Sequence, residues 1–208
     1  MPTGAKTAVT PAATSTDTLP DSVLVQRVDA GRVKGPAQGM WVVMISDYQC
    51  PYCKQWHDSA MAALDRDYIT PGRIRFAYLN LPLTSIHPHA RAEAKAALCA
   101  GAQGRYWEYS AALFDAQPNV RSMSDVGPLV RRISRDLALD SVAFQHCLAS
   151  RAVEGVLDND IGQAQRAGVQ STPSFIIGPF MVQGALPWPD FRRAVDTALL
   201  VARNKGSR

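Results

Sequence analysis

Four cysteines stand at positions 50, 53, 99 and 147 of a 208-residue chain, and the first two form Cys50-Pro51-Tyr52-Cys53. Two thiols so spaced on one helical turn can close a small disulfide, which points to dithiol redox chemistry. The motif directly follows an apolar run, Met40 to Ser46, of strand length, and it opens a stretch that reads as helix. A helix N-terminus presents unpaired N–H groups and about half a positive charge. That field stabilises a thiolate and draws its pKa from about 8.5 into a range of roughly 3.5–7.5. Pro51 suits the first turn, where its missing N–H costs nothing. Cys50, at the tip, is the expected nucleophile, and Cys53, turned into the helix, the resolving thiol. Two other chemistries remain open for these residues. A zinc site needs two further ligands, for which His57, His87 and His89 are candidates, although there is no second CxxC. A purely structural disulfide needs no partner at all.

A second feature is Ser171-Thr172-Pro173-Ser174-Phe175. A proline at the start of a strand cannot donate to the ladder and restricts the residue before it. The residues alone leave open whether its peptide bond is cis or an ordinary trans bond.

The elements that must position these features follow from periodicity and breakers. Val23 to Val28 reads as an edge strand and Gly31 to Gly39, with Gly35-Pro36, as a turn. Met40 to Ser46 reads as a central strand, followed by a helix from the cysteine motif to Ile69, which Pro71-Gly72 stops. Arg73 to Leu79 alternates as a strand, so this region is a βαβ unit with a parallel pair. Helices are expected over 88–100, 106–116, 125–137, 141–149 and 153–166. Strands return at Ser174 to Ile177 and Phe180 to Gln183 across a Gly178-Pro179 turn, and a helix closes the chain over 189–202. The predicted organisation is a Thr/Ala/Pro tether over 1–20, a first α/β part over 21–86, a helical insertion over 87–167, a second α/β part over 168–203 and a tail over 204–208.

Hydrophobic residues make up 47% and charged residues 19% of the chain, which excludes a wholly disordered protein. No apolar run reaches the roughly 18 residues that a membrane helix needs. The net charge of +4 comes from scattered residues, so nucleic acid is not an expected partner. The first 20 residues contain no apolar segment of signal-peptide type. Either a secretion signal or anchor has been removed ahead of them, or they are the leader of a cytosolic protein.

The chain resembles the thioredoxin superfamily and, within it, DsbA-like thiol–disulfide oxidoreductases with a helical insertion. The resemblance is carried by Ser46-Asp47-Tyr48-Gln49-Cys50-Pro51-Tyr52-Cys53, by Ala96-Ala97-Leu98-Cys99-Ala100 leading to Gly104-Arg105-Tyr106-Trp107-Glu108, and by Gly168-Val169-Gln170 leading into Ser171-Thr172-Pro173-Ser174-Phe175. It covers residues 22–203. It implies an α/β thioredoxin fold with an inserted all-helical domain, a cis Pro173 beside the disulfide, and a Thr172 backbone that pairs with an extended substrate. Pro51 and Tyr52 would complete the substrate surface. Implied partners are cysteine-containing unfolded or partly folded proteins and a membrane redox partner of the DsbB or VKOR kind. No metal or organic cofactor is needed, and a monomer in an extracytoplasmic compartment, such as the periplasm, is expected.

Two departures matter. The buried acid that thioredoxin and DsbA carry six residues before the first cysteine is Met44 here. Asp47 could substitute in proton transfer, as the similar acid of DsbC and DsbG suggests, or could simply cap the helix. Tyr52 stands where DsbA has His, so Cys50 should be less acidic than in DsbA. With Thr before Pro173, the motif looks more like DsbG, but the dimerisation domain of DsbC and DsbG is missing. The direction of exchange leans to oxidase, with reductase and isomerase open. A peptide-binding or holdase protein with a structural CPYC disulfide is the reading from another class, and a glutathione-linked kappa-type transferase is disfavoured by Cys53.

Local spacing pairs Cys50 with Cys53 and leaves Cys99 with Cys147. A bond between the latter would close a loop of about 49 residues, worth roughly 4 kcal/mol in the chain-entropy model. Similar family members carry this pair as a disulfide; two free buried thiols or a second redox relay are the alternatives. Cys99 follows Arg91 and Lys95 at four-residue spacing, which does not read as a core stripe. His87 and His89 read as surface residues at a helix start. Trp41, Trp107 and Trp188 read as packing residues.

Overall fold

The structure, a computed structural model, describes residues 19–206. The expected tether up to residue 18 and the last two residues of the expected tail lie outside the described residues. The first element differs from the sequence reading. Asp21–Gly31 is a helix, α1, rather than an edge strand over 23–28. Its buried side chains, Leu24 and Val28, are one helical turn apart, a spacing hidden by the apolar residues around them. The edge strand is instead the short β1, Val33–Lys34, within the stretch that reads as a turn.

β2 (Met40–Ser46), β3 (Ile74–Asn80), β4 (Ser174–Ile177) and β5 (Phe180–Gln183) complete a five-stranded sheet of order β1-β3-β2-β4-β5. Only β2 and β3 run parallel among these neighbours. β2 is central because both its faces are covered: Val42 and Met44 face the main core, while Ile45 packs with Leu81, Ala164 and Val169. Between β2 and β3 lies α2 (Pro51–Leu64), which continues as a π-helical turn over Asp65–Ile69. This is the βαβ unit read from the sequence.

Between β3 and β4 the chain is helical: α3 (Ala90–Gly101), α4 (Tyr106–Val120), α5 (Gly127–Asp136), α6 (Ser141–Ala149) and α7 (Arg151–Arg166). Asp140 and Ser150 cap α6 and α7, each accepting two backbone N–H groups. α4 runs past the expected end at 116 and holds Pro118 in its last turn. Helix α8 (Trp188–Gly206) closes the chain and extends beyond residue 202.

Cys99 in α3 and Cys147 in α6 form a disulfide with Cα atoms 5.6 Å apart. Cys99 is fully buried, contrary to the reading from its spacing. Arg91 and Lys95 are not a solvated stripe leading to it, since both pair with Glu154 of α7. Among the tryptophans, Trp41, near the start of β2, is exposed, 43% accessible, with the Arg75 guanidinium 4.5 Å above its ring. Trp107 packs on Phe76 and Trp188 on Tyr68.

Candidate active site

Cys50 is the N-cap of α2 and Pro51 opens the helix, so the motif occupies its positive end. Both motif cysteines are free thiols, Cys50 5% exposed and Cys53 fully buried. The N–H groups of Cys53 and Lys54 donate to the Cys50 carbonyl at 3.1 and 3.2 Å, which sets Cys50 at the tip with its sulfur free of the helix ladder. The antiparallel pairing of β4 with β2, with Ser174 opposite Ile45, brings the segment before β4 beside the motif. Thr172 and Pro173 lie there, both buried, joined by a cis peptide bond. The Cys50 thiol donates to the Thr172 carbonyl at 3.2 Å.

The two thiols differ in acidity. A hydrogen bond from Cys53 holds the Cys50 thiol down at about 6 against the upward pull of burial, helped by the backbone N–H groups of Cys53 and Tyr52. Burial pushes Cys53 well above the ordinary thiol value, and its neighbour Cys50 adds to that rise. The pair therefore offers one exposed-side thiolate and one buried protonated thiol at neutral pH, the asymmetry that exchange by attack and resolution requires.

Asp47 does not cap α2, because Cys50 holds that position. Its buried carboxylate accepts the N–H of Gln49 at 2.7 Å and that of Leu83 at 2.7 Å, and meets His87 Nδ1 at 2.8 Å. His87 is thus only 5% exposed and not a surface residue. Its place in sequence, just ahead of a helix, gives no hint that it folds back onto the loop before Cys50. His89 also turns inward, its Nε2 2.9 Å from the Met123 carbonyl. His57 lies against Phe114, ring centroids 4.8 Å apart. Among the described residues no three His, Cys, Asp or Glu side chains converge to hold a metal.

Three residues that sequence reasoning passes over hold the motif. Trp56, one turn along α2 from Cys53, is fully buried against Phe175 of β4 and Phe191 of α8, at 4.7 and 5.0 Å. Gln117 of α4 donates to the carbonyls of Tyr48 at 2.6 Å and Cys50 at 3.0 Å. Glu93 of α3, fully buried, accepts from Gln49 at 2.8 Å, and burial raises its carboxyl from 4.5 to about 7. Pro51 and Tyr52 of the motif are exposed, Tyr52 to 62%, and on the loop that Asp47 and His87 fix, Ile86 is exposed to 67%.

A protein-family model described as Thioredoxin matches residues 29–197. The chain is 32% identical over 162 residues to a Na(+)/H(+) antiporter, NhaA 3, of Salinispora tropica, covering 74% of this chain but 24% of the antiporter. The chain thus spans about a quarter of the length of that curated relative. It is 25% identical over 163 residues to a probable disulfide bond formation protein D of Bacillus anthracis, covering 76% of this chain and 73% of the relative. Among solved structures, alpha-DsbA1 of Wolbachia pipientis superposes with a TM-score of 0.72 at 20% identity, covering 84% of this chain and 93% of that one. Oxidised BdbD of Bacillus subtilis superposes with a TM-score of 0.72 at 19% identity, covering 81% and 92%. The fold shared with these structures is a thioredoxin-like α/β sheet with an inserted helical unit.

Proposed function

We propose that this chain, which belongs to the thioredoxin family, is a protein thiol–disulfide oxidoreductase and works as an oxidase on unfolded or partly folded cysteine-containing proteins outside the cytoplasm. The observation that carries this reading is the placement of Cys50 at the tip of α2, 3.2 Å from the Thr172 carbonyl beside the cis Thr172–Pro173 bond, with Cys53 buried behind it; the Cys50 thiol held down and the Cys53 thiol pushed up agree with it. A first thiol of low pKa stabilises the reduced form and so makes the disulfide a stronger oxidant. The first cysteine titrates near ~7 in thioredoxin, a reductant, and near ~3.5 in DsbA, an oxidant.

In each turnover a substrate thiolate attacks Cys50 Sγ of the disulfide form, and Cys53 leaves. A second substrate thiolate then attacks the mixed disulfide, releasing oxidised substrate and the Cys50 thiolate. Thr172 and Pro173 line the surface against which the substrate lies, and Tyr52 and Ile86 offer it apolar contact. Asp47, buried three residues before Cys50 and held by Gln49, Leu83 and His87, is the candidate for proton transfer near the motif. The reduced enzyme then needs an electron acceptor, and a membrane protein of the DsbB or VKOR kind fits that need. The Cys99–Cys147 disulfide suits an oxidising compartment, and the Bacillus anthracis relative is named for disulfide bond formation. Among the described residues no helix is long and apolar enough to cross a membrane. A membrane tether would therefore lie outside them.

The test is the reduction potential of the Cys50–Cys53 pair in glutathione buffers, with Cys99 and Cys147 tracked separately by mass. The expected value is well above the roughly −270 mV of thioredoxin and towards the −120 mV of DsbA. A value of about −200 mV or lower would assign a reductase or isomerase. A pair that never equilibrates would leave a structural disulfide in a binding or holdase protein.

A further inference from the structure

Two buried hydroxyls behind the cysteine motif, Ser46 Oγ and Tyr78 Oη, make no hydrogen bond. Ser46 ends β2 and is 1% exposed; Tyr78 lies in β3 and is 3% exposed. In the parallel register Met44 faces Tyr78 and Ser46 faces Asn80, so Ser46 and Tyr78 project from the same face of the sheet. Tyr78 shares the core cluster with Met44 and Cys53 on that face. The Ser46 hydroxyl is felt at both neighbours, drawing the Cys53 thiol and the Tyr78 hydroxyl down against the upward pull of burial, although it closes a hydrogen bond to neither. The Tyr78 ring is clamped: Tyr48 stacks on it at 5.5 Å and Tyr106 meets it edge-on at 5.9 Å. Tyr48 is in turn fixed by Ser110 at 2.7 Å and Tyr106 at 3.2 Å.

A buried polar group without a partner costs about 1–3 kcal/mol and in a native structure calls for an explanation. Here the two hydroxyls share a sheet face and core cluster with Cys53, the fully closed-off sulfur of the reacting pair. Met44, at the sheet position beside them, has no proton to give.

We propose that Ser46 is a catalytic residue that donates its O–H to the Cys53 sulfur as it leaves as thiolate, and that Tyr78 is a positioning residue that holds the Ser46 hydroxyl towards that sulfur. The proposal rests on the reading that Cys53 is the second thiol of the exchange. A substrate thiolate forms a bond to Cys50 Sγ, the Cys50–Cys53 bond breaks, and the electron pair passes to Cys53 Sγ. The Ser46 proton stays on its oxygen and stabilises the new negative charge in a site closed to water. Cys53 is protonated afterwards, by a proton released from the second substrate thiol. Donors fixed before the charge develops need no reorganisation, which is why such groups act strongly in buried sites.

The test follows the oxidised protein in single-turnover reduction by glutathione, with Cys53 release read by quenched alkylation and mass. Ser46→Ala is expected to slow the reaction about tenfold or more, the size of one lost hydrogen bond to a charged group. Tyr78→Phe, which keeps the clamped ring, should slow it in the same direction by a smaller factor. A second arm measures alkylation of Cys50 in the reduced protein, a reaction in which Cys53 does not leave; both variants should match wild type there. Reduction of Ser46→Ala at the wild-type rate, or equal slowing in both arms, overturns the proposal. If Ser46→Ala does not fold, Tyr78→Phe decides by the same two arms. A wild-type disulfide that glutathione leaves intact would instead remove the oxidoreductase reading, and this proposal with it.

Discussion

Glu93 and Glu108 look alike in the sequence, each in the first turn of an insertion helix. Yet Glu108 is an exposed partner of Arg105, while Glu93 is fully buried beside Gln49. Burial is a property of the assembled helices, so no local pattern announces it. The cysteine pair is legible in the sequence because its chemistry needs only spacing and a helix start; the surroundings of Asp47, His87 and Glu93 are not, because their partners come from distant loops. The raised Glu93 carboxyl has a consequence for stability. The folded carboxyl keeps its proton up to about 7, whereas an unfolded one loses it near 4.5. Between these values the folded state holds more protons, so this group's contribution falls as pH rises from 4.5 to about 7. Glu93→Gln keeps an oxygen for Gln49 and removes the titration. The expected result is a variant more stable at pH 7, by about 3 kcal/mol at most, with wild type losing ground to it across that window. Urea midpoints of the disulfide form between pH 4.5 and 8 would show this, and parallel curves for the two proteins would refute it.

At the level of elements, the strands and helices that carry the motif follow from simple patterns. β2 reads as central because it is a continuous apolar run, and β3 reads as a strand because residue types alternate over Arg73 to Leu79, an alternation that its burial follows. α1 reads as a strand in the sequence because Val23 and Val25 fill in an alternation around the true helical pair Leu24 and Val28. Nothing in either sequence segment shows that α4 reaches back to the motif, since Gln117 and Cys50 are 67 residues apart. That contact fixes the loop ahead of α2 by satisfying two carbonyls that have no place in the sheet ladder. Gln117→Ala would strand the Tyr48 carbonyl in a buried site, at a cost of about 1–3 kcal/mol, and take one donor from the Cys50 carbonyl, which keeps the N–H groups of Cys53 and Lys54. It should also slow exchange with glutathione, since the tip of α2 loses its brace. Denaturant midpoints together with single-turnover rates measure both effects, and a stable variant with wild-type kinetics would show that the brace is not needed.

The insertion and the sheet share one core rather than meeting as two bodies. The main apolar cluster among the described residues runs from Val42 and Phe76 of the sheet through Leu98 and Tyr109 to Phe144 and Leu157. α1 is the seam. It packs against α3 and α7, and its last residue comes so near α3 that a Cβ on Gly31 would lie 2.4 Å from the Gly101 carbonyl oxygen. Side chains of the ion-paired Arg32 and Asp160 bind the same seam to α7, with Asn80 of β3 on the same carboxylate. A shared core predicts a shared unfolding transition, even though the sequence divides the chain into an α/β part and a helical part. The Cys99–Cys147 disulfide spans 48 residues within the helical part, so it restricts the unfolded chain without crossing the seam. Replacing both cysteines by alanine should therefore lower stability by roughly 4 kcal/mol in the chain-entropy account, and unfolding should still proceed in one step. Denaturant melts in a Trp107→Phe background, followed by fluorescence of Trp41, Trp56 and Trp188, report on the sheet half, and far-ultraviolet circular dichroism reports mainly on the helices. Coincident curves at a lower midpoint are expected. Separated curves would mean that the insertion melts alone and that the seam does not couple the two halves, and an unchanged midpoint would mean that the bond adds nothing to a core already closed.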